Sequence, residues 1–175
     1  MDINMIGICK AFGTNKVLGG VNLHIRPGEV HALMGENGAG KSTLMNILTG
    51  IHKADAGTIL VDGKEVTFRN NKDAEEHGIA FIHQELNMCP HLNVAENMFL
   101  GREKMKGGLV DHRAMEAEAK RILDDLRISI SPTETVGNLP VSKQQMVEIA
   151  KALSINARVL IMDEPTSALT AKEID

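Results

Sequence analysis

Residues Gly35 to Thr43 read GENGAGKST, and their types and spacing fit one kind of chemistry. In the pattern Gly35-x4-Gly40-Lys41-Ser42, the glycines at 35, 38 and 40 permit backbone conformations and close approach that a side chain would block, so main-chain amides can face phosphate oxygens. Glu36, Asn37, Ala39 and Thr43 complete the loop. A helix starting directly behind it adds unpaired N–H groups and a positive dipole end, and Lys41 adds a full charge near β- and γ-phosphates. Ser42 is placed to hold Mg2+. A glycine-rich turn with no ligand is the bland alternative, and the apolar runs before and after the loop disfavour it. The expected ligand is ATP with Mg2+.

A second group of polar residues belongs with the first. Arg158 to Met162 (RVLIM) is a continuous apolar run that ends at Asp163-Glu164. Asp163 is expected to reach Mg2+ through water, and Glu164 to activate an attacking water as general base. Two acids at a strand end can also be an idle exposed loop. With a phosphate loop upstream they form, with Lys41, the candidate catalytic set.

These residues need elements to position them. Val21 to Ile25 alternates as a half-buried strand and Arg26-Pro27-Gly28-Glu29 supplies a turn. Val30 to Met34 (VHALM) is expected as a buried central strand ending at the glycine loop. Leu44, Met45, Ile47 and Leu48 have helical spacing, with Gly50 as the stop. Asp62-Gly63 between Gly57 to Val61 and Glu65 to Phe68 predicts a hairpin. Ile79 to Ile82 is another buried-strand candidate. Met115, Ala119, Ile122 and Leu126 mark a helix over 112–126 capped by Asp111, and Val147, Ile149, Ala150 and Leu153 mark one over 144–153. Gly101 to Val110 reads as a surface loop.

Composition narrows the class. At 175 residues, with 43% hydrophobic and 24% charged residues, the sequence is that of one globular domain or most of one. No apolar run approaches the ~20 residues of a membrane span, and Met1 to Cys9 lacks the features of a secretory signal. Cys9 and Cys89 are expected as free thiols. A net charge of -4 and only four Phe, with no Trp or Tyr, argue against nucleic acid as a partner. The ten methionines are expected mainly as core filler.

Further motifs, in their order along the chain, resemble the ATP-binding cassette family, the ATPase subunits of ABC transporters. Leu139 to Leu153 (LPVSKQQMVEIAKAL) resembles its signature motif and helix, Ile82 to Glu85 (IHQE) its Q-loop, and Ser167 to Thr170 (SALT) its D-loop. Kinases and GTPases with the same phosphate loop lack the signature helix, and no Asn-Lys-x-Asp motif occurs here. The resemblance implies an α/β fold: a P-loop NTPase core sheet, an antiparallel β subdomain, and a helical subdomain over about 86–155 carrying the signature. Residues 1–175 would then be a single partial cassette. It further implies that Gln84 binds Mg2+ and the attacking water, that Phe12 packs on adenine, and that Ser142 and Lys143 meet ATP bound by a second cassette.

The stretches 84–87, 90–97, 99–103 and 164–170 are similar to the ATPases of monosaccharide importers of the ribose and galactose type. That group implies transmembrane permease subunits as partners, a periplasmic sugar-binding protein acting indirectly, and a peripheral place on the cytoplasmic side of the inner membrane. Two departures qualify the resemblance. The family signature opens Leu-Ser-Gly-Gly-Gln, whereas here it is Leu139-Pro140-Val141-Ser142-Lys143, and Pro140 brings neither hydroxyl nor N–H. None of the seven histidines follows Asp163, so the family's switch histidine is missing and a truncation after the D-loop is expected. The alternatives are therefore a nucleotide-binding module with little or no hydrolysis, or a soluble ABC protein outside transport. The stretch from Gln84 to Glu103 counts against the latter.

Overall fold

The computed structural model describes residues 1–82, 86–155 and 157–163. The expectations placed on Gln84, on Glu164 and on 167–170 lie outside the described residues. The chain divides into two units, Met1–Ala80 and the part from Phe81 onward.

The first unit is built on strands β1 (Ile3–Phe12), β2 (Asn15–Ile25), β3 (Ala56–Val61) and β4 (Lys64–Val66), paired antiparallel in the order β2-β1-β3-β4. Helix α1 (Lys41–Leu48) follows the glycine loop, and α2 (Asn71–Glu76) precedes β5 (Ile79–Ile82), a strand that continues into the second unit. Strand β1 is not evident from alternation, and its geometry explains why. Ile3 and Met5 point into the core, but Gly7 sits at φ 64 in a bulge, so the next core residue is Ile8 and Ile6 is left exposed. The expected hairpin forms as read: Asp62 at φ 48 and Gly63 at φ 77 make the tight turn, with Val61 opposite Lys64. The core of this unit comprises Ile3, Met5, Ile8, Leu18, Leu23, Leu44, Ile47, Leu48 and Ile59.

The expected central strand over Val30–Met34 does not form. No strand pairs with these residues among those described, and Val30 is fully exposed. A parallel central strand is stable only between ladder partners on both sides. The turn expected at Arg26-Pro27-Gly28-Glu29, just before the segment, does form. The Glu29 amide donates to the Arg26 carbonyl at 3.2 Å, and the Glu29 carboxylate accepts from the Arg26 amide at 3.0 Å. That amide, followed by His31, holds the Glu29 carboxyl below the usual range.

The second unit is mostly helical: α3 (Val94–Met98), a two-stranded β6 (Met105–Lys106) and β7 (Leu109–Val110), α4 (His112–Asp125), a short 3-10 turn at Val136–Asn138, α5 (Val141–Leu153) and β8 (Val159–Met162). Asp111 caps α4 by accepting from the Ala114 amide at 3.0 Å, as its position predicts. The expected surface loop over 101–110 contains the β6–β7 hairpin, turned by Gly107 and Gly108, both at positive φ. Helix α3 begins with a capping box: the Asn93 side chain accepts from the Glu96 amide, and the Glu96 carboxylate accepts from the Asn93 amide.

Val94, Met98, Met115, Ala119, Leu123, Val136, Val147 and Ala150 form the core of this unit. On α5 the buried set is Gln145, Val147, Glu148, Ala150 and Ala152, so the helix is rotated from the expected face and Leu153 is exposed. Both cysteines are free thiols, as expected. The methionines divide: Met5, Met98 and Met115 are core, whereas Met34, Met105 and Met162 are exposed. Among the described residues no helix is long and apolar enough to cross a membrane.

Candidate functional site

The glycine loop ends on Gly40, which caps α1 in the left-handed conformation at φ 91. Two constraints meet at this residue. Its φ disfavours any side chain, and a Cβ there would lie 2.7 Å from Leu18 Cδ2, 3.2 Å from the Val17 carbonyl oxygen and 3.3 Å from Val17 Cγ1. The loop is thereby packed directly on β2, and α1 starts immediately behind it. The Leu44 amide donates to the Gly40 carbonyl at 2.9 Å, which opens the helix at once. The sequence places Lys41, Ser42 and Thr43 in that first turn, where amides have no intrahelical acceptor.

Lys41 folds back over the loop. Its Nζ donates to the Gly35 carbonyl at 2.7 Å and to the Glu36 carbonyl at 2.9 Å. The Ala39 amide closes a turn on the Glu36 carbonyl at 3.2 Å, and Gly38 stands at φ 83. Gly35, Glu36, Asn37, Gly38, Ala39 and Gly40 thus curl around the Lys41 ammonium at the N-terminus of α1. These features suit a polyphosphate: a cation held at the loop, a helix N-terminus, and glycines at 38 and 40 in a left-handed backbone that other residues rarely adopt. Ser42, exposed on the first turn, supplies the hydroxyl suited to Mg2+.

Phe12 ends β1 and is 45% exposed, so it has ring surface to offer a base. It is braced from two sides. The His52 ring meets it edge-on, with centroids 5.2 Å apart, and Lys10 Nζ lies 5.4 Å from its centroid. Asp55 orders this corner, accepting from Lys10 Nζ at 2.9 Å and from the Ala11 amide at 2.7 Å. The Lys10 hydrogen bond, followed by that amide, holds the Asp55 carboxyl below its usual range. A depressed carboxyl contributes stability above the ordinary aspartate range and loses it as pH falls through the depressed value. Asp55→Ala is therefore expected to lower the melting temperature at neutral pH, and the deficit should narrow as pH falls below the usual aspartate range. Phe12→Ala is expected to weaken nucleotide binding about fivefold, the size of one aromatic stacking contact. Nucleotide titration and melting curves across pH check the pair.

In the second unit Asp163 directly follows β8, where its amide donates to the Ile82 carbonyl at 3.1 Å. β8 and β5 pair in a two-stranded sheet, so Asp163 is fixed at the end of an apolar strand, as its position suggests. Ser142 and Lys143 lie in the first turn of α5. Pro140 occupies the N-cap and provides no side-chain hydrogen bond, so this helix opens without a polar cap. Gln144 turns back and donates to the Leu139 carbonyl at 2.9 Å.

Sequence reasoning missed the burial of Asn97 and Glu148, as it did that of Gln145. Asn97 is fully buried: its Oδ1 accepts from the Cys89 amide at 2.8 Å, and its Nδ2 donates to the carbonyls of Cys89, Leu92 and Asn93. It fixes the backbone over 89–93 ahead of α3. Glu148 on α5 is 7% exposed and reaches the same loop, accepting from the Asn87 amide at 3.3 Å. Burial pushes its carboxyl above the usual range, against the pull of the Asn87 amide and Lys151. The available signal for both was a polar side chain on the buried face of a short amphipathic helix.

Comparison with known proteins gives a consistent picture. The family model described as ABC transporter matches residues 18–167. The ribose import ATP-binding protein RbsA of Bacillus subtilis is 59% identical over 99% of this chain and 36% of its own length. The protein of the same name from Chromobacterium violaceum is 58% identical over the whole chain and 35% of its length. The chain therefore spans about a third of the length of the curated relatives it matches. Among solved structures, a nucleotide-free ATP-binding cassette from an ABC transporter superposes with a TM-score of 0.85 at 28% identity, over 99% of this chain and 73% of that one. A dimeric bacterial ABC transporter cassette gives 0.81 at 26% identity, over 98% and 77%.

Proposed function

The chain belongs to the ABC transporter family, and from that membership we propose that it is an ATP-binding and hydrolysing cassette that powers sugar import. The observation that carries the reading is the loop in which Gly40, forced left-handed against β2, starts α1 directly behind the Lys41 ammonium. Relatives named for ribose import support a monosaccharide as the cargo. The proposed partners are a second cassette, for which a dimeric solved neighbour is a precedent, transmembrane permease subunits, and indirectly a periplasmic sugar-binding protein. The proposed place is peripheral, on the cytoplasmic side of the inner membrane.

Catalysis in this site is mostly positioning and charge stabilisation. Lys41 exchanges its two loop carbonyls for phosphate oxygens and holds the β- and γ-phosphates at the α1 N-terminus. The loop amides of 35–40 and the first-turn amides of α1 orient the same oxygens. Phe12 stacks on adenine. Mg2+, when bound, offsets phosphate charge; Ser42, Gln84 and Asp163 are the residues proposed to hold it. Glu164 takes the proton of the attacking water. Ser142 and Lys143, at the open start of α5, face ATP held by the partner cassette.

The test is turnover. Glu164→Gln is expected to lower ATP hydrolysis by at least about 100-fold, the scale of a lost general base, with Mg·ATP affinity within about threefold. Tight binding with hydrolysis indifferent to Glu164→Gln would contradict the hydrolytic reading. It would favour a nucleotide-binding module instead, the second reading, to which the uncapped Pro140 start of α5 lends support.

A further inference from the structure

The chain leaves α1 along a tightly held path that brings His52 to Phe12. Thr49, fully buried, follows the helix with its amide and its hydroxyl both donating to the Met45 carbonyl, at 3.0 and 3.1 Å. Gly50 then stands at φ 73, where a Cβ would lie 2.8 Å from that of Phe68. The amides of Ile51 and His52 both return to the Asn46 carbonyl, at 2.8 and 3.0 Å. A left-handed exit of this kind satisfies the last carbonyls of a helix and fixes the direction of the chain behind it. The backbone of His52 is therefore set by α1.

Phe12 has no comparable support of its own. It is the last residue of β1, paired with Asn15 across the turn that Gly13 makes at φ 60, and its ring is too exposed for burial to select a rotamer. Two contacts hold it. Lys10 belongs to the same strand, so its ammonium cannot by itself fix the ring relative to another element. His52 comes from outside the strand. Its ring stands at 72° to that of Phe12 with centroids 5.2 Å apart, the edge-to-face arrangement that aromatic pairs favour.

We propose that His52 is a positioning residue for the base end of the nucleotide, holding the Phe12 ring in the orientation that stacks on adenine. Helix α1 then serves both ends of one ligand: the phosphates at its start through Lys41, and the base at its exit through His52 and Phe12. The inference rests on the proposed function, since it takes Phe12 as the surface for adenine. Its size follows from rotamer statistics. Without His52 the ring spreads over three staggered wells, the competent fraction falls to about one third, and apparent affinity falls about threefold. The phosphates do not sense the change.

The experiment compares Mg·ATP with Mg·tripolyphosphate, which carries the phosphates without the base, by titration calorimetry. His52→Ala is expected to weaken ATP about threefold and to leave tripolyphosphate unchanged. His52→Gln, close in size but without a ring, should match it. His52→Phe keeps a ring edge for Phe12 and should retain the full affinity for ATP. Added to Phe12→Ala, His52→Ala should cause no further loss, because a positioning residue has no effect once the residue it positions is gone.

Four results overturn the proposal. The first is an ATP affinity unchanged in His52→Ala or His52→Gln. The second is an equal weakening of tripolyphosphate, which would mark a support of α1 and its loop. The third is a failure of His52→Phe to retain affinity, and the fourth is an additive loss in the double variant, which would mark a direct contact of His52 with the base. The unsubstituted chain separates two failures. Binding of neither ligand removes the proposed function and the role of His52 with it, whereas binding of both with a silent His52→Ala removes only the role of His52.

Discussion

Lys41→Ala is expected to weaken Mg·ATP binding by about two orders of magnitude while changing the melting temperature little. A hydrogen bond to a charged group contributes about 1.5–3 kcal/mol, and one such contact to a phosphate, held in place at a helix N-terminus, corresponds to roughly 100-fold in affinity. In the structure the ammonium is satisfied by the Gly35 and Glu36 carbonyls, both on an exposed loop. Removing it therefore leaves no buried polar group behind, which is why stability should hold. Lys41→Arg is expected to recover only part of the affinity, because a planar guanidinium does not fit two carbonyls arranged for a point charge. Titration calorimetry with a parallel melt separates the two quantities; equal losses in both would mean that Lys41 supports the loop rather than the phosphates.

Gly40→Ala is expected to produce the largest loss of stability of any single methyl added to the loop. A non-glycine residue at φ 91 costs about 1–2 kcal/mol, and overpacking against Leu18 and Val17 adds about 1–3 kcal/mol. Against a typical stability of about 5–15 kcal/mol this is a large fraction, and for a chain of this size it corresponds to a fall of roughly 10 °C in the melting temperature. Gly38 provides the control. It has φ 83 but nothing within 4 Å of an added Cβ, so Gly38→Ala should incur the backbone cost alone and fall by less than half as much. Nucleotide binding should suffer in both, because the amides of either residue are aimed by a backbone that alanine disfavours. Similar melting temperatures for the two variants would show that the contact with β2 is not what fixes the loop.

These expectations were legible because their signals are local. Asp62-Gly63 predicts its hairpin from two dihedral preferences, Asp111 predicts the start of α4 from a single cap, and the glycine loop is read from steric needs within nine residues. What escaped the sequence depended on contacts made elsewhere. β1 is concealed by the bulge at Gly7, which breaks the alternation after Met5 and turns Ile8 inward instead. Val30–Met34 has the composition of a central strand, yet composition cannot provide ladder partners, and among the described residues it has none.

The α5 face was misjudged for a related reason. Apolar spacing pointed to Ile149 and Leu153, while packing selects Gln145, Glu148 and Ala152. A buried glutamate is invisible to any rule that places charge outside. Its partner, the Asn87 amide 61 positions away, is equally hidden from local patterning. The buried asparagine of α3 follows the same logic, since its four partners lie in a loop whose path no periodicity encodes. The separate parts of the site thus differ in how far the sequence reveals them: the phosphate loop almost completely, the ties behind the signature helix hardly at all.

The claim that matters most is that this chain holds Mg·ATP on the loop from Gly35 to Thr43. Titrating the chain with ATP in the presence and absence of Mg2+, alongside Lys41→Ala, tests it directly. The account predicts saturable binding of about one nucleotide per chain, tighter with Mg2+ and lost by about 100-fold in Lys41→Ala. No saturable binding, or binding that Lys41→Ala leaves unchanged, would contradict it.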